Sequence, residues 1–110
     1  MLNKTLITTI LAATSIALLS TSAMADTKWQ RQHPRREQVN NRLANQNRRI
    51  HNERKEGDIT GAQARALHAQ DRSIRAQERA DAATNHGHIT RAQQRTLNSE
   101  LNANSGAIGK

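Results

Sequence analysis

From residue 35 onward the chain is polar, and its large aliphatic side chains come singly. Val39, Leu43 and Ile50 are spaced by four and seven, which places them on one helical face. Gln46 and Asn47 stand where that face should continue. Leu67 and Ile74 repeat at seven with Asp71 between them, and Leu97 and Leu101 are four apart. Ala66, Ala69, Ala76 and Ala80 would let a neighbouring helix approach closely. No stretch alternates with period two, so no strand is expected. The pattern predicts an all-α fold of three helices, over residues 35 to about 54, 61 to about 83, and 91 to about 102. Pro34 suits a first helical turn, where its missing N–H costs nothing.

The joints between these helices are written in nearly the same words. Residues 57–67 read GDITGAQARAL and residues 87–97 read GHITRAQQRTL, with seven of the eleven positions identical. Thr60 with Gln63, and Thr90 with Gln93, have the spacing of a capping box. Each Thr hydroxyl accepts from a first-turn N–H, and each Gln reaches back to the Thr N–H. Gly57 and Gly87 fall where a left-handed residue ends the preceding helix. Ile59 and Ile89 stand just before each cap and can fold onto a core. G-x-I-T-x-x-Q therefore stops one helix, turns the chain and starts the next.

Composition narrows what such a bundle can be. The chain has 17 Lys+Arg against 9 Asp+Glu, no Cys, and Trp29 as its one aromatic residue. Disulfides are excluded, and the core is confined to a few aliphatics, so the domain should be small and loosely packed; self-association or a ligand would steady it. The first residues carry Lys4, an apolar run over residues 6–19, and Ala23-Met24-Ala25, the layout of a secretory signal peptide cleaved after Ala25. The resulting layout is a signal peptide over 1–25, a flexible lead-in over 26–34, a helical domain over 35–103 and a flexible tail over 104–110. Export places the protein in the periplasm or outside the cell, with no transmembrane segment in the mature chain. It also turns the arginine-rich charge away from nucleic acid. Anionic envelope components or acidic unfolded proteins become the expected partners.

Arg35, Arg42 and Arg49 recur at seven along the first helix, and Arg72, Arg75 and Arg79 cluster along the second. These six form the candidate partner surface, since guanidinium groups bind polyanions bidentately. Asp71 and Glu78 flank Arg75 at helical spacing, which suits a solvated face. His86-Gly87-His88 is a short H-x-H pair able to hold a borderline cation, two ligands short of a usual zinc set. Glu53 and Glu56 read as a charged helix end. No nucleophile elbow, phosphate loop or Cys–His set stands out, so a non-enzymatic role is expected. The only cofactor these residues suggest is a divalent cation.

The repeated joint resembles an EF-hand loop, in which ligands fall at positions one, three, five and twelve, with Gly at six and an aliphatic residue at eight. Gly57 at six puts Ile59 at eight, Gln63 at twelve, and Asn52, Arg54 and Glu56 in the first three ligand places. Gly87 at six puts Ile89 at eight, Gln93 at twelve, and Ala82, Thr84 and His86 in those places. The resemblance implies a degenerate EF-hand-like pair in which Ile59 and Ile89 face each other across a short bridge. Over about residues 35–108 the chain also resembles small exported proteobacterial proteins of unassigned function. These carry a repeated Asp-Gly-x-hydrophobic-Thr-x-x-Glu loop and an Arg- and Asn-rich first helix. Ile59-Thr60-Gly61-Ala62-Gln63 and Ile89-Thr90-Arg91-Ala92-Gln93 are similar to the Leu-Thr-x-x-Gln of Spy- and CpxP-type periplasmic chaperones, which implies envelope-stress protection by binding.

The capping reading predicts that Thr60→Ala and Thr90→Ala each lower stability by about 0.5–2 kcal/mol. Thermal melts of both variants check this; unchanged midpoints would contradict it.

Overall fold

The computed structural model describes residues 26–109, and the signal-peptide segment expected over 1–25 lies outside them. Among the described residues the protein is all-helical. Its elements are α1 (Lys28–Gln32), α2 (Pro34–Lys55), α3 (Gly61–Ala83) and α4 (Arg91–Ile108). Among the described residues the chain divides into two units, 26–31 and 32–109. In the first, Thr27 and Gln30 close a capping box: Gln30 N donates to Thr27 Oγ1 at 3.1 Å, and Thr27 N donates to Gln30 Oε1 at 2.7 Å. The segment expected as a flexible lead-in is therefore partly helical, and among the described residues the helices number four rather than three.

The second unit is an up-down-up bundle. Asn47 and His68 meet, as do Arg36 and Glu78, so α3 runs antiparallel to α2. Gln38 meets Asn98 and Arg49 meets Ser105, so α4 runs parallel to α2. Both capping boxes form: Gln63 N and Gln93 N each donate to their Thr Oγ1 at 3.0 Å, and Thr60 N and Thr90 N donate to Gln63 Oε1 and Gln93 Oε1. Gly57 adopts φ +82°. The Gly57 and Asp58 N–H groups return to Arg54 O and Glu53 O, closing a Schellman turn. The second turn departs from the first. There His86 takes the left-handed conformation at φ 55°, and Gly87 follows at φ 89° with its N–H on Ala82 O. The same phrase thus serves two turns of different length, residues 56–60 and 84–90.

The buried rows advance by steps of three and four, the spacing of a coiled-coil-like seam. Val39, Leu43, Gln46, Ile50 and Glu53 form the row of α2. Ala64, Leu67, Asp71, Ile74, Glu78 and Ala82 form that of α3, and Leu97, Leu101, Asn104 and Ile108 that of α4. Every large aliphatic side chain from Val39 onward is buried except Ile59, which is half-buried. They form two clusters. One joins Val39, Leu43, Ile74, Ala82, Ile89, Leu97 and Leu101; the other joins Ile50, Ala64, Leu67 and Ile108, with Ile59 against it. Ile59 and Ile89 therefore sit in different clusters, beside turns at opposite ends of the bundle, and no bridge joins them.

Between the clusters lies one polar layer, contributed by all three helices. Asn104 Nδ2 donates to Asp71 Oδ1 at 2.8 Å and lies 3.3 Å from both Gln46 Oε1 and Leu67 O. Gln46 Nε2 donates to Leu101 O at 2.7 Å. The residues that break the apolar stripes of α2 and α3 are thus the ones that meet. Asp71 Oδ2 is buried without a hydrogen-bond partner.

Residues 104–108, expected as a flexible tail, continue α4 and bury Asn104 and Ile108. Asn, Ser and Gly are poor helix formers. What holds this last turn is Arg49, whose Nη1 donates to Ser105 Oγ at 2.7 Å and whose Nη2 donates to Gly109 O at 2.6 Å. A guanidinium at a helix C-terminus satisfies orphan carbonyls and opposes the negative end of the dipole.

Burial raises the Asp71 carboxyl above its ordinary 3.8, opposed by the Asn104 hydrogen bond and by the charges of His68 and Arg75. The neutral form therefore suits the fold. Asp71 contributes its stability fully below about pH 3.8 and loses it as the pH rises and the unfolded chain ionises first. Asp71→Asn, neutral throughout, should gain in melting temperature over the parent at about pH 7, with the gain shrinking toward about pH 4. An equal difference at both pH values would contradict this.

Candidate functional site

The six arginines singled out by spacing fall into two sets with different surroundings. Those of α2 are turned onto α4 and the turn that precedes it. Arg35 Nη1 lies 3.4 Å from Ile89 O, and Arg42 donates to Asn98 Oδ1 at 3.0 Å and Asn102 Oδ1 at 2.8 Å. Arg49 closes the end of α4. The seven-residue repeat, which looked like a binding stripe, is a ladder along the parallel α2–α4 seam. Gln38 joins it through Asn98 and Gln94. The reason is geometric: parallel helices in register present a matching acceptor every two turns. The acceptors named here, Ile89 O, Asn98, Asn102, Ser105 and Gly109 O, are neutral groups.

The arginines of α3 are placed otherwise. Arg72 and Arg79 are exposed and Arg75 is half-buried. None of the three makes a hydrogen bond or ion pair among the described residues. Arg65, also exposed, stands seven residues before Arg72 and extends the row. Arg65, Arg72 and Arg79 share one flank of α3 at a spacing of about 10.5 Å. His68 and Arg75 border them on the side of α2, where His68 Nδ1 is 3.1 Å from Asn47 Oδ1. The acidic residues Asp71 and Glu78 do not sit out on this flank as solvated partners; both are buried. Glu78 Oε2 accepts from Arg36 Nε at 2.9 Å, and Arg36 Nη1 donates on to Gly87 O at 3.1 Å. This ion pair ties the start of α2 to α3 and to the second turn. Sequence reasoning missed Arg36, although Glu78 at the α3 seam position marked a buried carboxylate in need of a cation.

The opposite flank of α3 borders a groove against α4 of about 420 Å³, lined by Ala66, Leu67, Gln70, Glu100, Ala103 and Asn104. It is mainly apolar, and a smaller hollow at Ile59, Gln63 and Ala107 continues it.

The histidine pair does not converge on a metal position. His88 stacks on His33, ring centroids 4.6 Å apart, while His86 is exposed at its left-handed position. No third histidine or carboxylate joins the two among the described residues. The stack instead pins the second turn to the start of α2, beside the Arg35 and Arg36 contacts. At the first turn three carboxylates do converge: single oxygens of Glu53, Glu56 and Asp58 lie within 4.8 Å of one another. Glu53 is 6% exposed. Its place in the α2 row after Ile50 was the sequence signal for that burial.

Among the described residues no helix is long and apolar enough to cross a membrane. No family model, curated protein or solved structure matches the chain.

Proposed function

We propose that the protein is an exported, non-catalytic binding protein of the cell envelope, and that it takes anionic envelope components through the basic flank of α3. The observation that carries this reading is the division among the arginines. Arg35, Arg42 and Arg49 are spent on α4 and the turn before it, whereas Arg65, Arg72 and Arg79 stand exposed in a straight row with no partner among the described residues. A row of guanidinium groups at about 10.5 Å intervals suits a repeated anionic surface, such as phosphate headgroups, better than a single small anion. The net charge of +8 steers such a surface toward the protein. Export is drawn from the N-terminal layout of the sequence and belongs to the same proposal. Envelope-stress protection through unfolded proteins is the competing form, with the α3–α4 groove as its apolar contact.

Co-sedimentation with vesicles separates these forms. Phosphatidylglycerol vesicles should retain the protein and phosphatidylcholine vesicles should not, with retention falling as salt rises. Arg65→Gln/Arg72→Gln/Arg79→Gln should weaken retention at least about tenfold, on the scale of about 1 kcal/mol per basic residue near an anionic surface. Arg42→Gln should leave it within about twofold, since that side chain is committed to the seam. Equal retention of parent and triple variant would overturn the proposal. Suppressed aggregation of a reduced, unfolded client without vesicle binding would favour the chaperone form.

A further inference from the structure

We infer that Arg75 is a two-position latch: turned outward it joins the basic flank of α3, and turned inward it pairs with the buried acceptors of Asp71 and Asn40. The inference rests on the reading of that flank as an anion-binding surface and assigns the surface its control. It begins with the two side-chain atoms that are buried without a hydrogen-bond partner among the described residues, Asp71 Oδ2 and Asn40 Oδ1. Both are acceptors, and both border the same residue. Arg75 follows Asp71 by one helical turn on α3, close enough for its charge to act on the carboxyl. Asn40 stands opposite Arg75 on α2. Further along this antiparallel pair Asn47 meets His68, and the Arg54 guanidinium lies 3.4 Å from where a Cβ on Gly61 would stand. Seven residues from the Asn47–His68 contact in the other direction, the same register brings Asn40 to Arg75.

Arg75 is the donor left over at this place. It is half-buried and makes no hydrogen bond or ion pair among the described residues. A buried acceptor without a donor is costly, and more so when it is charged. An acidic residue four positions before a basic one is also the favoured order of a helical ion pair. The other cations of α3 do not fill the place. His68 lies 3.1 Å from Asn47 Oδ1, and Arg72 is exposed beside Asp71 in the chain, where helical neighbours do not face each other. From α2 and α4 the layer presents Asp71 with Gln46 and Asn104, both neutral. Glu100, one turn before Asn104 on α4, is turned to Gln77. An inward guanidinium has donors enough for Asp71 Oδ2 and Asn40 Oδ1 together.

The charge on Asp71 selects the position. A neutral carboxyl needs no cation, which leaves Arg75 beside Arg65, Arg72 and Arg79. An ionised one draws Arg75 in. Burial raises the Asp71 carboxyl above 3.8, so the changeover lies above that pH, with the inward position on its alkaline side. A polyanion that takes Arg75 outward leaves the carboxylate unpaired and so favours its proton. Linkage makes the two effects reciprocal: the polyanion promotes protonation of Asp71, and protonation strengthens polyanion binding. The flank therefore holds an anionic surface more tightly as the pH falls through the Asp71 range.

The test follows the Arg75 Nε–Hε resonance of the ¹⁵N-labelled protein from about pH 7 to about pH 4, assigned by its loss in Arg75→Gln. At the upper pH this proton should exchange slowly with water, and it should speed up to the rate of an exposed guanidinium as the pH falls. Asp71→Asn should show the fast rate throughout. An Arg75 Nε–Hε that behaves alike in parent and Asp71→Asn would overturn the inference. Phosphatidylglycerol vesicles give a second readout, at one pH so that His68 does not change charge between samples. At about pH 7 Asp71→Asn should strengthen retention about fivefold, the effect of one basic residue near an anionic surface. Arg75→Gln/Asp71→Asn should show no such gain over Arg75→Gln. A gain that survives without Arg75 would come from the carboxylate's own charge and would equally overturn the inference. Vesicles that fail to retain the parent would overturn the basic-flank reading alone, and the Nε–Hε proton would still decide the latch.

Discussion

The polar layer of Gln46, Asp71 and Asn104 is the constraint on which the rest of the bundle depends. The apolar rows on either side consist of Val, Leu, Ile and Ala and would tolerate a slide of one helix past another by a heptad. Such a slide would separate the three polar groups and bury each without its partner, at about 1–3 kcal/mol per group. The layer ties all three long helices at one height through Asn104, which reaches Asp71 and Gln46 and lies within 3.3 Å of Leu67 O. It is not free of cost. Asp71 keeps one oxygen without a partner, and burial disfavours its charge. A buried polar group of this kind is retained for register rather than for stability.

Everything outside the layer follows its height. With α2 and α4 parallel and in step, Arg42 and Arg49 meet Asn98 and Ser105 seven residues apart on α4, and Arg35 reaches Ile89 O in the turn before it. Arg49 holds a helical turn that its own residues would not sustain. With α3 antiparallel, Glu78 arrives opposite Arg36, and His33 stacks on His88. The two turns close opposite ends of the bundle. One end gathers His33, His86 and His88 with Arg35 and Arg36 of the start of α2; the other gathers Glu53, Glu56 and Asp58. The exposed arginines of α3 are left on the flank between these ends, and the small side chains of α3 and α4 leave a groove on the other. Register thus places Arg42 and Arg49 on the α4 seam, leaves Arg65, Arg72 and Arg79 exposed on one flank of α3, and sets the acidic turn at one end.

Much of the fold was legible. Thr60 with Gln63 and Thr90 with Gln93 located both helix starts, because a capping box is a local interaction whose partners are three residues apart. Three long helices could be read from singly spaced aliphatics. What could not be read was the meaning of the interruptions. Gln46 and Asp71 looked like breaks in an apolar stripe, and only the alignment of three helices shows that they face each other and Asn104. The α2 arginines looked like a binding surface because heptad spacing is the same for a solvent-facing stripe and for a seam. The last turn of α4 was missed because its stabilising partner, Arg49, is distant in sequence. Glu53 was read as a charged helix end, although its step of three from Ile50 continued the buried row.

The account's central claim is that the polar layer fixes register, and replacing it tests this most directly. Gln46→Leu/Asp71→Leu/Asn104→Leu joins the two apolar clusters into one continuous core. The account predicts that this variant melts at a higher temperature than the parent while its ¹H–¹⁵N spectrum shows doubled or broadened resonances, as the helices sample more than one register. A single sharp set of resonances, with the Arg49–Ser105 and Arg36–Glu78 contacts intact, would show that the turns and seams set the register without the layer, and would contradict it.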